Sequence, residues 1–361
     1  MGGGFGIVES QTARLRVAVV GAGLIGRRHV ELVSRSPDCD LVAVVDPDPR
    51  TVAIARTAGV PWLETVDDLL ASAPPDAAIV ATPSGLHLSH ATACIRAGVA
   101  VLVEKPIATT VADGRRLADA ATEHGVPLLV GHHRRHSPVL AAARETIRSG
   151  ALGDLVAVTA STMFAKPADY FDVAPWRRQP GGGPILINLI HDIDALRMLA
   201  GEVLSVQAVA SSKVRRFPVE DTVAATLRFA GGALGSIIIS DTAASPLSWE
   251  LTAGEDPAFP RHDGRDCYVI AGTLGSLGLP TMRLMTYDAP PSWTSPARTS
   301  VAATRPGDPL ALQLAHFCDV VRRDADPLVS GRDAVETLRV TLAIGDAART
   351  GRPVGCGPDE S

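Results

Sequence analysis

The chain has 361 residues, of which 46% are hydrophobic, 20% charged and 4% aromatic, and its formal net charge is −5. This composition excludes a disordered or collagen-like protein, and the length predicts two domains. No segment reaches the ~18 apolar residues of a membrane-spanning helix, and the absence of basic blocks argues against nucleic-acid binding. Five scattered cysteines without a C-x-x-C pair and no N-terminal secretion signal predict a cytoplasmic protein. We expect residues 1–13 to be a disordered extension.

The first part of the chain alternates apolar segments with helical patterns. Predicted strands span residues 15–20, 41–45, 77–80, 99–103 and 128–130. Predicted helices span residues 24–34, 50–58, 66–71, 87–97 and 111–124. Short connections between alternating strands and helices predict a doubly wound parallel α/β sheet, which we expect to occupy residues 14–134.

A glycine-rich segment, Gly21-Ala22-Gly23-Leu24-Ile25-Gly26, follows the first strand and opens the first helix. Gly21 permits a tight turn, Gly23 lets a pyrophosphate approach the backbone, and Gly26 allows close packing. The N–H groups at the helix start favour phosphates. The segment therefore predicts a dinucleotide site, to which Leu24 and Ile25 also belong.

Asp46 ends the second predicted strand, 20 residues after Gly26. A carboxylate there accepts hydrogen bonds from an adenosine ribose and repels the 2′-phosphate of NADP, so we expect NAD as the cofactor and NADP as the weaker alternative. Two other interpretations stay open. Asp46-Pro47-Asp48-Pro49 is also a strong turn sequence, and Arg50 lies close enough to accommodate a phosphate.

Four further segments carry a resemblance. They are residues 81–87 (Ala-Thr-Pro-Ser-Gly-Leu-His), 104–106 (Glu-Lys-Pro), 181–184 (Gly-Gly-Gly-Pro) and 187–194 (Ile-Asn-Leu-Ile-His-Asp-Ile-Asp). With the glycine motif they resemble the glucose-fructose oxidoreductase/inositol dehydrogenase/rhizopine catabolism (Gfo/Idh/MocA) family of NAD(P)-dependent oxidoreductases, over most of the chain. The resemblance adds these expected cofactor contacts: Thr82, Pro83, Ser84, His87, Glu104 and Lys105.

Lys105 is the first catalytic candidate. A lysine at the end of an apolar strand must either enter a crevice or pair with a carboxylate, and Glu104 is a possible partner. The resemblance implies that Lys105 contacts substrate and cofactor, where its ammonium stabilises a developing alkoxide. Whether the bond to Pro106 is cis stays open, since about 5–6% of such bonds are cis.

His191 is the second catalytic candidate and lies in a predicted, largely buried helix. From the residues alone it is a core histidine bonded to Asp194, three positions on. The resemblance instead implies a general base, and a neutral imidazole titrating near pH 6.5 suits that role. Many sugar-oxidising members carry Asp four residues before this His, where this chain has Ile187. We therefore expect Asn188 to bind substrate in its place.

The histidine-rich segment 132–136 (His-His-Arg-Arg-His) follows the last predicted strand. His132 and His136 are spaced like metal ligands on a helix, but no third ligand is evident and we predict no metal. The resemblance implies that Arg134 and His136 reach the substrate; a solvated interdomain loop is the alternative. Trp176 is expected to form a wall of the substrate cleft or to cover the core.

The second half predicts an α+β domain at residues 135–352, followed by a tail at 353–361. Strand patterns at residues 155–162, 204–213, 222–229 and 233–240 predict an open, mostly antiparallel sheet, and residues 310–322 and 332–349 are predicted helices. Residues 252–304 are expected to hold short strands and an oligomer-contacting insertion. The resemblance implies that a partner subunit covers the sheet in a homodimer or homotetramer.

The combined prediction is an NAD-dependent dehydrogenase. Its expected substrate is a secondary alcohol of a cyclic polyol, sugar or related hydroxy acid. Two alternatives remain: an NAD-dependent glycoside hydrolase that oxidises its substrate transiently, and a non-catalytic dinucleotide-binding regulator.

Overall fold

The computed structural model describes residues 13–287 and 290–357. Most of the predicted N-terminal extension and the end of the predicted tail lie outside these ranges. The chain divides into two compact units. The first comprises Met1–Glu104, Asp119–Leu129 and Leu314–Pro327, and the second comprises Lys105–Ala118, Val130–Gln313 and Leu328–Ser361. Since both units are discontinuous, the continuous boundaries predicted at 134/135 and 352/353 stay predictions.

A six-stranded sheet with strand order β3-β2-β1-β4-β5-β6 carries the nucleotide motif. Parallel pairings join β1 to β2 and β4, β2 to β3, and β4 to β5. Every residue of β4 and β5 is buried, as expected for parallel strands covered on both faces. The strands are β1 Leu15–Val20, β2 Cys39–Val45, β3 Trp62–Leu63, β4 Ala77–Val80, β5 Ala100–Glu104 and β6 Leu128–Gly131.

The predicted doubly wound sheet is confirmed. Strands β2 and β3 are added on one side of β1 and strands β4 to β6 on the other, so the strand order reverses between β1 and β4. Ligands of such sheets bind at the carboxyl ends of the strands beside this reversal. The two-residue strand β3 was not predicted because it is too short to show a pattern. The helices of this part of the chain are α1 Leu24–Arg35, α2 Val52–Ala58, α3 Val66–Ser72, α4 His87–Arg96 and α5 Val111–Glu123.

A nine-stranded sheet with order β14-β13-β12-β11-β7-β10-β9-β8-β15 forms the second unit. Only the pairing of β7 with β10 is parallel among those described, so the prediction of an open, mostly antiparallel sheet is confirmed. Alternate residues of β9 are buried, so one face of the sheet packs on the core. The strands are β7 Leu155–Met163, β8 Val203–Ser211, β9 Thr222–Phe229, β10 Leu234–Ser240, β11 Tyr268–Gly272, β12 Gly275–Leu279, β13 Arg283–Tyr287, β14 Ala297–Val301 and β15 Val354–Gly355.

Short strands do occupy the predicted 252–304 region, and β15 gives the first part of the predicted tail a defined place beside β8. The helices of the second half are α6 Pro138–Arg148, α7 Asp169–Asp172, α8 Ile190–Ala200, α9 Trp249–Thr252, α10 Pro309–Arg322 and α11 Gly331–Thr350. The buried helix α8 follows a π-helical turn at Ile185–Leu189, in which the N–H of Ile190 donates to the Ile185 carbonyl oxygen five residues earlier. None of the described helices is both long and apolar enough to cross a membrane.

Candidate active site

The glycine-rich loop between β1 and α1 has the geometry that a dinucleotide requires. Gly21 has φ +93°, and a Cβ there would approach the backbone of Ala81 to 2.7 Å. A Cβ on Gly26 would collide with the carbonyl oxygen of Gly21. Gly23, by contrast, faces open space, and a Cβ added there would have no atom within 4 Å. The loop therefore fits a pyrophosphate laid against its backbone at Gly23.

The start of α1 is open to a ligand. No side chain caps it among the described residues, and its first turn contains no acidic residue. Leu24 is 81% exposed and Ile25 is half-buried. An uncapped helix start presents N–H groups and a partial positive charge, which favour a phosphate.

Asp46 fixes the same loop from the end of β2. Its Oδ2 accepts a hydrogen bond from the Ala22 N–H at 2.7 Å, and its Oδ1 accepts one from the Asp48 N–H at 2.8 Å. Arg50, the alternative phosphate contact, donates through Nε to Asp48 at 2.8 Å. Asp46 thus holds the turn and the glycine loop together, and each carboxylate oxygen keeps a second lone pair for a ribose.

Thr82, Pro83 and Ser84 follow β4, at the carboxyl edge of the sheet. The ring of His87 is buried, and its Nε2 lies 2.8 Å from the Thr82 carbonyl oxygen. His87 therefore supports the turn from inside. The expected contact of His87 with the cofactor stays a prediction.

Glu104 is also directed into the first unit. Its side chain is buried, and Oε1 lies 2.8 Å from Nε2 of His29 on α1. The pair ties the end of β5 to the helix that begins at the glycine loop, and the expected contact of Glu104 with the cofactor stays a prediction. His29 was missed because its helical pattern carries no sign of a partner 75 positions away.

Lys105 is half-buried and belongs to the second unit. Its Nζ donates a hydrogen bond to the carbonyl oxygen of Ile187 at 2.8 Å, within the π-helical turn before α8. The Lys105–Pro106 bond is cis. The position at which the predicted family often has Asp thus contributes a backbone oxygen to the lysine in place of a carboxylate.

His191 lies in the first turn of α8 and is 7% exposed. Its ring makes edge-to-face contacts with His133, at 5.0 Å between centroids, and His132, at 6.3 Å. Burial, followed by the charges of Lys105 and Arg134, lowers the pKa of His191 well below 6.5. The expectation that it titrates near pH 6.5 is therefore wrong, and the ring is neutral at pH 7.

Asp194 is not the partner of His191. Its carboxylate accepts two hydrogen bonds from Arg135, at 2.7 and 2.9 Å, and one from Thr337 at 3.0 Å. His132 lies 3.9 Å from the same carboxylate. The interpretation of His191 as a core histidine bonded to Asp194 is therefore not what the structure shows.

Arg134 is buried beneath the site. It is 2% exposed, and its guanidinium donates to Asp192 at 2.7 Å and to the hydroxyl of Tyr268 at 3.1 Å, while Glu250 holds its other nitrogen. A side chain enclosed in this way cannot bind substrate, which corrects that expectation. The carboxylates raise the pKa of Arg134 despite its burial, so it stays charged.

The other predicted substrate contacts, His136, Trp176 and Asn188, lie in different environments. His136 closes a 3₁₀ turn at His133–His136, so the α-helical spacing expected for His132 and His136 is absent. Trp176 is 57% exposed. The Asn188 Oδ1 accepts a hydrogen bond from Lys166 at 2.7 Å. In the described residues no three His, Cys, Asp or Glu side chains are grouped as metal ligands.

Lys166 is a polar residue of this region that the sequence interpretation missed. It follows β7 and its side chain is 9% exposed. Burial lowers the pKa of Lys166 to about 8. The scarcity of lysine in the sequence is a signal that could have identified Lys166 as a candidate, because Lys105, Lys166 and Lys213 are the only three lysines in the chain.

Comparisons with known protein families match the two halves separately. Residues 15–132 match the GFO_IDH_MocA oxidoreductase family, NAD-binding Rossmann fold, and residues 140–278 match the GFO/IDH/MocA C-terminal domain. The two ranges together cover most of the chain.

Individual relatives extend this similarity. The rhizopine catabolism protein MocA of Rhizobium meliloti is 33% identical over 201 residues, 55% of this chain and 62% of that protein. The NAD(+)-dependent scyllo-inositol 2-dehydrogenase of Bacillus subtilis is 27% identical, covering 94% of this chain and 96% of that one. The WlbA dehydrogenase of Bordetella pertussis, solved with NADH and UDP-GlcNAcA, is 28% identical with a TM-score of 0.78, covering 96% and 100% of the two chains.

Proposed function

The chain belongs to the Gfo/Idh/MocA family of NAD-binding oxidoreductases, and we propose that it oxidises a secondary alcohol of a polyol, sugar or related hydroxy acid. The observation that carries this proposal is the pairing of Lys105 with the turn that leads into His191. Lys105 binds the Ile187 carbonyl oxygen, and His191 follows one helical turn later. An ammonium group and a neutral imidazole on one turn suit the deprotonation of an alcohol.

The first unit supplies the proposed NAD site. Gly23 and the uncapped start of α1 receive the pyrophosphate, and Asp46 receives the adenosine ribose diol. Thr82, Pro83 and Ser84 line the neighbouring strand end. NAD bound by these residues would supply a nicotinamide ring as the acceptor for a hydride from the alcohol carbon.

The second unit supplies the proposed acid–base groups. His191 takes the hydroxyl proton at Nε2, since its Nδ1 is enclosed with no hydrogen-bond partner among the described residues. Lys105 stabilises the negative charge that develops on the substrate oxygen. The Ile187 carbonyl oxygen holds the ammonium in place, and the low basicity of His191 favours return of the proton in the reverse direction.

We further propose that the protein is a cytoplasmic homo-oligomer in which a second copy of the chain covers the nine-stranded sheet. Aliphatic side chains on its outer face are exposed, including Val209 at 68%, Leu234 at 63% and Ile238 at 39%. A face of this kind favours association. All five cysteines are unbridged thiols, as is usual in a reducing compartment.

An absorbance screen at 340 nm tests the proposed reaction. The protein is mixed with NAD and a panel of polyols, sugars, hydroxy acids and chromogenic aryl glycosides, and the formation of NADH and of free aglycone is followed. Accumulation of NADH with at least one alcohol is the expected result. Release of an aglycone from glycosides without net NADH would instead establish the transient-oxidation hydrolase. Tight NAD binding without turnover of any compound would contradict the enzyme and favour a regulator.

A further inference from the structure

Two lysines bind adjacent residues of the π-helical turn before α8. Lys105 donates to the backbone oxygen of Ile187, and Lys166 donates to the side-chain oxygen of Asn188 at 2.7 Å. The two ammonium groups therefore flank one short segment, although they come from distant parts of the chain. Lys166 is held there by a mostly buried side chain, with Nζ also 4.8 Å from the centroid of the Tyr170 ring.

Positive charge exceeds negative charge around Lys166. Asp241 approaches its Nζ to 3.8 Å and is the carboxylate found within ion-pair distance among the described residues. That carboxylate is already bonded to Nε of Arg215 at 2.8 Å. The charged and titratable groups that face Lys166 are Asp241, Lys105, Arg177, Arg215 and Tyr170.

The available hydrogen-bonding groups are also mostly donors. With its Oδ1 turned to Lys166, Asn188 presents its NH₂ group, and Lys166 has two further N–H bonds. Ile187 contributes no side-chain charge. A ligand that only accepts hydrogen bonds and carries negative charge would complete this environment, and a carboxylate does both.

We propose that the substrate is a hydroxy acid whose carboxylate binds Lys166 and the Asn188 amide, while its reacting hydroxyl faces Lys105 and His191. This inference rests on the proposed dehydrogenase function and narrows its substrate class. Lys166 is then the residue that selects acids over their neutral counterparts.

The pKa of Lys166 has a separate consequence for the pH dependence of activity. Because burial lowers the pKa of Lys166 to about 8, the ammonium loses its charge within the range in which activity is measured. Below that pH the charged lysine attracts a carboxylate, and above it the attraction disappears. The kcat/KM for an acid should therefore fall as the pH rises from 7 to 9, more steeply than the kcat/KM for a neutral partner.

Matched substrate pairs test the proposal: D-gluconate with D-glucitol, and D-glucuronate with D-glucose. The full-length protein and its Lys166→Met, Lys166→Arg and Lys213→Met variants are compared. Lys166→Met should lower kcat/KM for the acid about 10- to 100-fold and for the neutral partner less than about twofold, as expected for loss of one charged hydrogen bond. Lys166→Arg should keep most of the preference. Lys213 is exposed, so Lys213→Met should change neither value.

Calorimetry separates failure of this inference from failure of the dehydrogenase proposal. NAD-saturated protein is titrated with each acid and each neutral partner. Acid binding that Lys166→Met abolishes supports the carboxylate site even where no compound is oxidised. The inference would be overturned by equal losses for acid and neutral partner, by a preference for the neutral partner, or by no acid binding at about 10 mM. The absorbance screen would still test the dehydrogenase reaction independently.

Discussion

The glycine loop of the first unit and the charged cluster of the second unit are built in opposite ways. We define the charged cluster as Lys105, Arg134, Lys166, His191 and Asp192. The loop is shaped by backbone conformation and by missing side chains, with Asp46 as its one fixed carboxylate. The cluster is shaped by side chains that lie partly or fully buried and are held by bonds such as Arg134 to Asp192 and Lys166 to the neighbouring Asn188. Because the loop depends on missing side chains, an added methyl group should damage it. Because the cluster depends on charged side chains, the removal of a charge should damage it.

Removal of the Lys105 charge should give the largest effect. Lys105→Met should lower kcat about 10²- to 10³-fold, because stabilisation of the negative charge that develops on the substrate oxygen is lost. The Kd for NAD, measured by fluorescence titration, should change less than about twofold. Lys213→Met is the matched control and should keep full turnover. Undiminished turnover in Lys105→Met would remove this residue from the mechanism.

Removal of the Arg134 charge should act on stability. Arg134→Met leaves Asp192 buried without its guanidinium partner, which should cost about 3–5 kcal/mol of the free energy of unfolding. Urea denaturation measures the cost. Arg148→Met, at the exposed end of α6, is the control and should change the stability by less than about 0.5 kcal/mol. A loss below about 1 kcal/mol in Arg134→Met would show that the buried network is not a stabilising unit.

The same contrast explains how far the sequence could be interpreted. The glycine loop follows from six consecutive residues, so its turn, its open position at Gly23 and its fit to a dinucleotide were predictable. The partners of Arg134 lie 58, 116 and 134 positions away, and no local pattern brings Asp192, Glu250 and Tyr268 to one guanidinium. The sequence therefore predicts a substrate contact for Arg134, whereas its side chain is buried.

Local periodicity also limited which helices and strands could be predicted from the sequence. The long helix α11 shows its period and was predicted within a few residues, whereas the 11-residue helix α6, with only Leu140 and Ala143 buried, was not predicted. The short elements β3, α7 and α9 contain only two to four residues each and are determined by tertiary contacts. The π-helical turn before α8 follows the same rule, because the role of its Ile187 carbonyl oxygen depends on Lys105, which lies 82 positions away in the sequence.

An added methyl group at Gly26 should damage the loop. The Cβ of Gly26→Ala would collide with the Gly21 carbonyl oxygen, and overpacking of this kind costs about 1–3 kcal/mol. If the strain falls on the ligand-binding shape, the Kd for NAD should rise about 5- to 150-fold. Gly231→Ala, with no atom within 4 Å of its Cβ, is the control and should bind NAD normally. An unchanged affinity of Gly26→Ala for NAD would show that the loop accommodates the added methyl group without a change in its binding shape.

The charge of Asp46 should decide between cofactors. Asp46→Asn keeps the size of the side chain and an acceptor oxygen for one of the two N–H groups that Asp46 binds, but it removes the negative charge that opposes a 2′-phosphate. The NADP to NAD ratio of kcat/KM should therefore rise about tenfold. Steady-state kinetics with both cofactors measures the ratio. A wild-type preference for NADP would contradict the NAD assignment at once.

The smallest expected effect is a weak acid response of the charged cluster. Because burial and neighbouring cations hold the pKa of His191 well below 6.5, its neutral form persists as the pH falls. With a neutral substrate, kcat/KM should change less than about 1.5-fold between pH 7 and pH 6, whereas an unshifted imidazole would lose about threefold. Thermal denaturation at both pH values controls for unfolding. A threefold loss in folded protein would mean that burial and the neighbouring cations do not hold down the pKa of His191, and the contrast between the open loop and the buried cluster would fail at this residue.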